Sequence, residues 1–347
     1  ASSSPVSPAP FSIASWHPIF SRHTCPAAFV PFPPEFRAYL ESDGTQPPAD
    51  VEDTAAEAEW SDDEGQPDEG QPDDSGPDDD ANSSSSSSPA AAFSFPELTA
   101  KLAAAIKKYG SVTPKLNFSA PRDATWLNAN SLRCTCPADA YTLLKASDFV
   151  QHDLQVLAAH PSIEPKLCLR KWLDVPPGLE FRVFVQGNVV LAISQRDTAT
   201  FYPYLAAGAA LDGYVDQILD FVADVIVKEP AFGPESFAAD VYIYSSTTVK
   251  LVDLNPLDES TDPLLFEHAE LGAGEGAEPG ELMVRVVMSE NTVVPPKLGG
   301  YRAPIDAVEL FGGGKGAGGW EDFKKQCVKG GVTDESSDEE ERAESAL

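Results

Sequence analysis

A chain of 347 residues, 42% of them hydrophobic, can build one large domain or two ordinary ones, while 31 prolines and 24 glycines keep a fair part of it out of any core. A formal charge of −31 without a basic stripe excludes a nucleic-acid groove, and no apolar run approaches the roughly 18 residues of a membrane-spanning helix. Five cysteines, of which only Cys134 and Cys136 lie close together, support neither a zinc site nor a disulfide framework, so a reducing, cytoplasmic setting is expected.

In chain order, residues 1–41 form an N-terminal segment whose aromatic and proline-rich part, WHPIFSRHTCPAAFVPFPPEFRAYL, is able to pack on a core. From 42 to 90 the composition shifts: fifteen Asp and Glu fall between residues 50 and 80, and no Lys or Arg occurs from Leu40 to Lys101. Such a stretch cannot bury a core and is expected to be disordered, either as an insertion within one fold or as a linker. Trp60, isolated among acids in EWSDDE, reads as a docking point, and Ser61 beside it has the acidic flanks that acidophilic kinases prefer.

Residues 91–311 form the expected core. FPELTAKLAAAIKKYG places Leu98, Leu102, Ala105 and Ile106 at helical spacing, with lysines in the last turns and Gly110 as a stop. YTLLKASDFVQHDL and YVDQILDFVADVIVKE also read as helices, and LCLRKWLDV as a strand. EFRVFVQGNVVLAISQRD predicts a hairpin turning at QGN, and SFAADVYIYSSTTVKLVDLNP a second one turning at 245–248. Residues 312–347, glycine-rich and then acidic with Ser336 and Ser337 between the acids, are expected to be a disordered tail.

The second hairpin carries the chemistry. A loop at 245–248 pairs Tyr244 with Val249, Tyr242 with Leu251 and Asp240 with Asp253, and puts Asn255 on the same face as Asp253. Two directly opposed carboxylates at ~5 Å repel by about 3 kcal/mol at an effective dielectric near 20, so a positive group is required there, and removal of Asp253 should relieve the repulsion. Two carboxylates and an amide oxygen are hard ligands suited to Mg²⁺, which completes its shell with water and phosphates and so points to a nucleotide. The alternative, with the register off by one, leaves both carboxylates as loop caps in solvent.

Phosphates need cations, and Lys115, Arg170, Lys171, Arg182 and Arg196 lie in or beside apolar, strand-like runs. Neither a P-loop nor a dinucleotide fingerprint is present. The expected fold is therefore α+β and ATP-grasp-like: two β-rich lobes with a nucleotide cleft between them, plus disordered acidic segments.

The motifs PKLNFSAPRDATW, SDFVQHDL, LRKW, EFRVFVQGN, ISQRD, DVYI, VDLNP and STDPLLF, in this order, resemble the cell division cycle protein 123 family, the ATP-grasp-like assembly chaperones of eukaryotic translation initiation factor 2. The likeness is strong over residues 115–266. It implies ATP and Mg²⁺ as cofactors and, as partner, the C-terminal domain of the factor's γ subunit, bound by a monomer without direct contact to nucleic acid or membrane. It further implies Asp240, Asp253 and Asn255 as metal ligands. Lys115, Ala120, Asp123, Arg170, Lys171, Trp172, Arg182 and Arg196 would be cofactor-binding residues, Trp172 at the adenine hinge. The chain departs from the family pattern at Phe118, where a Trp is usual, and at LNPLDESTD, where Leu254 and Leu257 replace aromatics and Asp258 adds a charge.

Two functional classes follow: an ATP-binding chaperone without ligase chemistry, and an ATP-dependent ligase or phosphotransferase. His152, His160 and His268 lie outside the metal cluster in sequence and read as surface or structural residues, so no acid/base pair accompanies it. The resemblance favours the chaperone.

Overall fold

The computed structural model describes residues 6–44, 46–51, 93–271 and 282–294. The chain begins in the larger of two lobes, where α1 (Ile13–Ile19) buries Trp16 beside Phe20 and Phe181. It crosses at Thr24–Pro26 into the smaller lobe, which holds β1 (Ala27–Pro31), α2 (Pro34–Glu41), α3 (Pro96–Tyr109), β2 (Val112–Lys115), α4 (Pro137–Lys145), α5 (Asp148–Ala159) and β3 (Lys166–Lys171). It returns through Trp172–Leu179 to β4 (Glu180–Gln186), β5 (Val189–Gln195), α6 (Pro203–Ala206), α7 (Ala209–Phe221), β6 (Phe237–Ser245), β7 (Thr248–Pro256) and β8 (Met283–Arg285). The two crossings run side by side, held by the Lys171 amide on the Pro26 carbonyl at 2.8 Å.

The smaller lobe is an antiparallel sheet of order β1-β3-β2 backed by helices. α3 forms where expected: Pro96 opens it, Glu97 lies in its first turn, Leu98, Leu102, Ala105 and Ile106 are buried, and Gly110 at φ 83° ends it in a conformation that favours glycine. The single helix expected over 141–154 is instead two, because Ser147 accepts a bond from the Val150 amide and so caps a new helix after α4 ends. Residues 52–92 lie outside the described part, but their flanks meet: Ala49 donates to the Phe93 carbonyl, and Asp50 accepts from the Phe95 amide and Thr99. The expectations for Trp60, Ser61, Ser336, Ser337 and residues 312–347 fall outside the described residues.

The larger lobe is a five-stranded sheet of order β7-β6-β4-β5-β8, antiparallel except for β5 and β8. α1 and α7 cover one face, while Phe184, Ala192, Ala238, Phe266 and Leu271 pack on the other. With both faces covered, Phe237–Ile243 is buried at every position. Asp240 lies in the middle of that run. Gly187 and Asn188, both at positive φ, turn β4 into β5, which is the two-residue geometry that QGN predicts.

The β6–β7 hairpin differs from expectation in an instructive way. Asp240 does pair with Asp253, but Tyr242 pairs with Lys250 rather than Leu251, and Val249 pairs with Ile243 rather than Tyr244. Tyr244 is an extra residue on β6 and Val252 an extra residue on β7, so two bulges shift the register by one and then restore it. The α+β, two-lobed class expected from the sequence is the class observed, with a cleft between the lobes.

Candidate functional site

The cleft has a volume of about 1000 Å³. β2 and the loop after it supply Lys115, Phe118, Ser119, Ala120 and Arg122, and α5 supplies Phe149, His152 and Asp153. Arg170 from β3 lies on this same side, and the opposite wall carries Arg182, Arg196, Asp240, Asp253 and Asn255.

Asp240 is 1% exposed and never reaches solvent as a loop cap. Its cross-strand neighbour Arg182 donates Nε to Oδ1 at 2.6 Å and Nη2 to Oδ2 at 2.8 Å, and Arg196 adds Nε to Oδ2 at 3.3 Å. Burial pushes the Asp240 carboxyl up, but Arg182 and then Arg196 outweigh it and hold the group well below the usual carboxylate range. Asp253 faces Lys115 from the other lobe, whose Nζ reaches both carboxylate oxygens at 2.6 Å while being 2% exposed. The positive charge demanded by two opposed carboxylates is thus supplied first by the protein's own cations, one of them across the cleft. Arg170 adds a second link between the lobes, donating Nη1 to the Val252 carbonyl at 2.9 Å, the bulged residue next to Asp253.

The oxygen set still suits Mg²⁺. Asp253 keeps 20% of its side chain exposed beside Asn255 on the cleft wall; the Asn255 amide nitrogen, a donor that only an acceptor and not a cation could satisfy, is buried without a hydrogen-bond partner. Among the described residues no group of three or more His, Cys, Asp or Glu could hold a metal. A cation at Asp240, Asp253 and Asn255 would therefore depend on ligands from water or phosphate, which is the habit of Mg²⁺.

The remaining expected site residues divide. Lys115, Ala120, Arg170, Arg182, Arg196, Asp240, Asp253 and Asn255 share the cleft. Lys171 is exposed at the end of β3, and Trp172 is half-buried at the crossing with its amide on the Ser111 carbonyl; neither lines the cleft wall. Asp123 lies behind the wall, 3% exposed, accepting from Ser147 Oγ at 2.6 Å and from the Asp148 amide at 2.7 Å at the start of α5. Asp258 is turned into its own loop by the Ser260 amide and hydroxyl, and Leu254 is core.

Sequence reasoning missed Arg122, Asp153 and His152 on the cleft wall. Arg122 lay within a motif already in view, and its basic charge near Lys115 was the available signal. Asp153 accepts from the Phe118 and Ser119 amides and the Ser119 hydroxyl, a tertiary arrangement that no local spacing encodes.

A family model described as D123 matches residues 16–311. The chain belongs to the D123 family. A translation initiation factor eIF2 assembly protein of Danio rerio is 38% identical over 317 residues, covering 86% of this chain and 87% of the relative. The protein of the same name from Vanderwaltozyma polyspora is 37% identical over 280 residues, 74% of this chain and 72% of the relative. The cell division cycle protein 123 of Candida glabrata is 35% identical over 267 residues, 74% and 73% of the two chains. The solved structure of Cdc123 from Schizosaccharomyces pombe superposes with a TM-score of 0.58 at 26% identity, covering 79% of this chain and 94% of that one.

Proposed function

We propose that this D123-family chain is an ATP-binding assembly chaperone of eukaryotic translation initiation factor 2, gripping the C-terminal domain of the factor's γ subunit and promoting its union with the α subunit. Relatives named as eIF2 assembly proteins, similar over most of their length, support the assembly role. The observation that carries the nucleotide reading is the constellation of Lys115, Arg170, Arg182 and Arg196 with Asp240, Asp253 and Asn255, drawn from both lobes onto one cleft. Lys115 and Arg170 would hold phosphate oxygens from one side and Arg196 from the other, while Asp253 and Asn255 would hold Mg²⁺. When bound, Mg²⁺ would neutralise phosphate charge next to the two carboxylates. Because Lys115 and Asp253 belong to different lobes, a ligand engaging both fixes the lobes relative to each other, and so fixes the surface a partner meets.

A second reading, an ATP-dependent ligase or phosphotransferase, gains one observation: His152 is exposed on the cleft wall, where an acid/base group would be needed. Pull-down of the isolated γ C-terminal domain, combined with ADP release in the presence of initiation factor subunits, separates the two. The chaperone reading expects capture of the domain and loss of assembled αβγ trimer on cellular depletion, with γ synthesis unchanged. Normal trimer assembly after depletion, in a cell without a second copy, contradicts it.

A further inference from the structure

We propose that the outward face of α3, continued past its C-terminal end by Arg133 and Lys171, docks an acidic segment of a protein partner. The surface belongs to the smaller lobe, none of its residues lines the cleft, and it is independent of what the cleft binds. Along α3, Lys101, Ala104 and Lys108 recur at helical spacing, so they share one stripe, and all three are exposed together with Lys107. Glu97, the acidic residue of the helix, is confined to its first turn. In β3, Leu167 and Leu169 pack under the helices while the alternate residue Arg170 turns to the larger lobe. Lys171 therefore follows the leucines to the helix side and emerges at the end of the strand, which is why it leaves the cleft. It pairs across the sheet with Val112, just beyond Gly110, where α3 stops. On the other side of Val112 lies Cys134, and the neighbouring Arg133 donates Nε to Ser111 Oγ at 3.3 Å.

These cations differ from the others in lacking counter-charges. Among the described residues, none of Lys101, Lys107, Lys108, Arg133 and Lys171 forms an ion pair with a carboxylate, whereas Lys115, Arg182, Arg196, Lys228 and Arg285 each do. Helix polarity accounts for Lys107 and Lys108, which sit in the last turn where the partial negative charge of the C-terminus favours them. It does not account for Lys101, well before that end, or for Arg133 and Lys171, which come from other parts of the chain. Gathering like charges on one surface costs repulsion in the free protein, and a carboxylate-rich segment relieves it. The formal charge of −31 selects the kind of ligand. A nucleic acid would run on past the patch over a protein whose net charge repels it, whereas an acidic peptide can match the cations over the ~21 Å of this 14-residue helix and end there. Exposed Ala103 and Ala104 keep the helix surface low between the lysines, so an extended backbone can lie along it. At the helix end, Lys108 Nζ lies 5.0 Å from the centre of the Tyr109 ring, which holds that ammonium beside Arg133 and Lys171.

Fluorescence anisotropy of a labelled peptide of about six alternating Glu and Asp residues, whose extended length matches α3, tests the assignment on the full chain. The wild type should bind the peptide at low ionic strength and release it as added salt shortens the screening length below about 8 Å. Lys101→Ala combined with Lys108→Ala, which keeps the helix, should weaken binding about tenfold at low salt, and Lys171→Ala by a smaller factor. Lys101→Arg combined with Lys108→Arg should retain it, and Lys228→Ala, on the larger lobe, should bind as the wild type does. Unchanged binding in the alanine variants of α3, or no binding by the wild type, overturns the proposal. A single-stranded RNA of equal charge that binds as tightly as the peptide, and is lost in the same variants, overturns it by making nucleic acid the occupant. A peptide bound only after deletion of residues 65–90 overturns it as well, by assigning the surface to the chain's own acids.

Discussion

Asp253 shows how far single residues could be read from the sequence. Opposition to Asp240 was legible, because both sit in a hairpin with a recognisable turn, and the opposition implied that removing Asp253 would relieve repulsion. The structure reverses that sign. Lys115 is buried against Asp253, so Asp253→Asn strands an ammonium rather than freeing a carboxylate. Breaking a buried pair by removing one partner costs roughly 3–5 kcal/mol, and the partial exposure of Asp253 puts this variant toward the lower end; urea denaturation measures it. At Asp240 the folded carboxyl is held below its unfolded value near 3.9, so its stabilisation is present above that pH and is lost as the pH falls toward the folded value. Acid unfolding of the wild type should therefore steepen below about pH 4, and Asp240→Asn should be less stable at neutral pH with a flatter acid limb. His17 behaves as the opposite case. Burial chiefly, opposed by its bond to the Cys25 carbonyl and assisted by Arg170, lowers its pKa below 6.5, so folding favours the neutral ring. Stability from His17 is complete above about pH 6.5 and declines as the pH falls below it, a slope that His17→Gln should reduce in pH-dependent melts.

Among the elements, hairpins and the amphipathic α3 were legible because turn residues and buried-face spacing are local. The compensating bulges were not, since an extra residue at Tyr244 and another at Val252 leave the alternation of apolar residues almost unchanged. They matter to the site, because Val252 presents its carbonyl to Arg170. The break between α4 and α5 was readable in Ser147-Asp148, a helix-start signal overshadowed by the continuous apolar spacing on either side. At the insertion, Asp50 ties the returning chain to α3 through Phe95 and Thr99. Asp50→Ala should cost about 1 kcal/mol, as loss of a helix-terminal cap does. Deleting residues 65–90 should leave stability within about 1 kcal/mol, because the flanks already meet and a shorter loop closes the same gap; chemical denaturation of the two variants separates these outcomes.

At the scale of the whole molecule, the described parts of the two lobes are joined by two adjacent chain crossings, the Ile13 amide on the Asn117 carbonyl with Asn117 Nδ2 on Ser12 Oγ, the Arg122–Glu180 pair, the Arg170 bond to Val252, and the Lys115–Asp253 pair over the cleft. The fastening of the loop after β2 to α5 was invisible in sequence for the same reason that the cross-lobe pair was. Both join residues that only the assembled fold brings together, Lys115 with Asp253 and Ser119 with Asp153. A ligand that engages Lys115 and Asp253 would act on the arrangement of both lobes, which is how the proposed nucleotide would reach a partner-binding surface. The most direct test is the melting temperature of the wild type and of Asp253→Asn, each with and without Mg·ATP. The account predicts that ligand at ~100 times its dissociation constant stabilises the wild type by about 2.7 kcal/mol and raises its melting temperature accordingly, while Asp253→Asn, folded but less stable, gains little; an equal gain in both proteins, or none in the wild type, contradicts it.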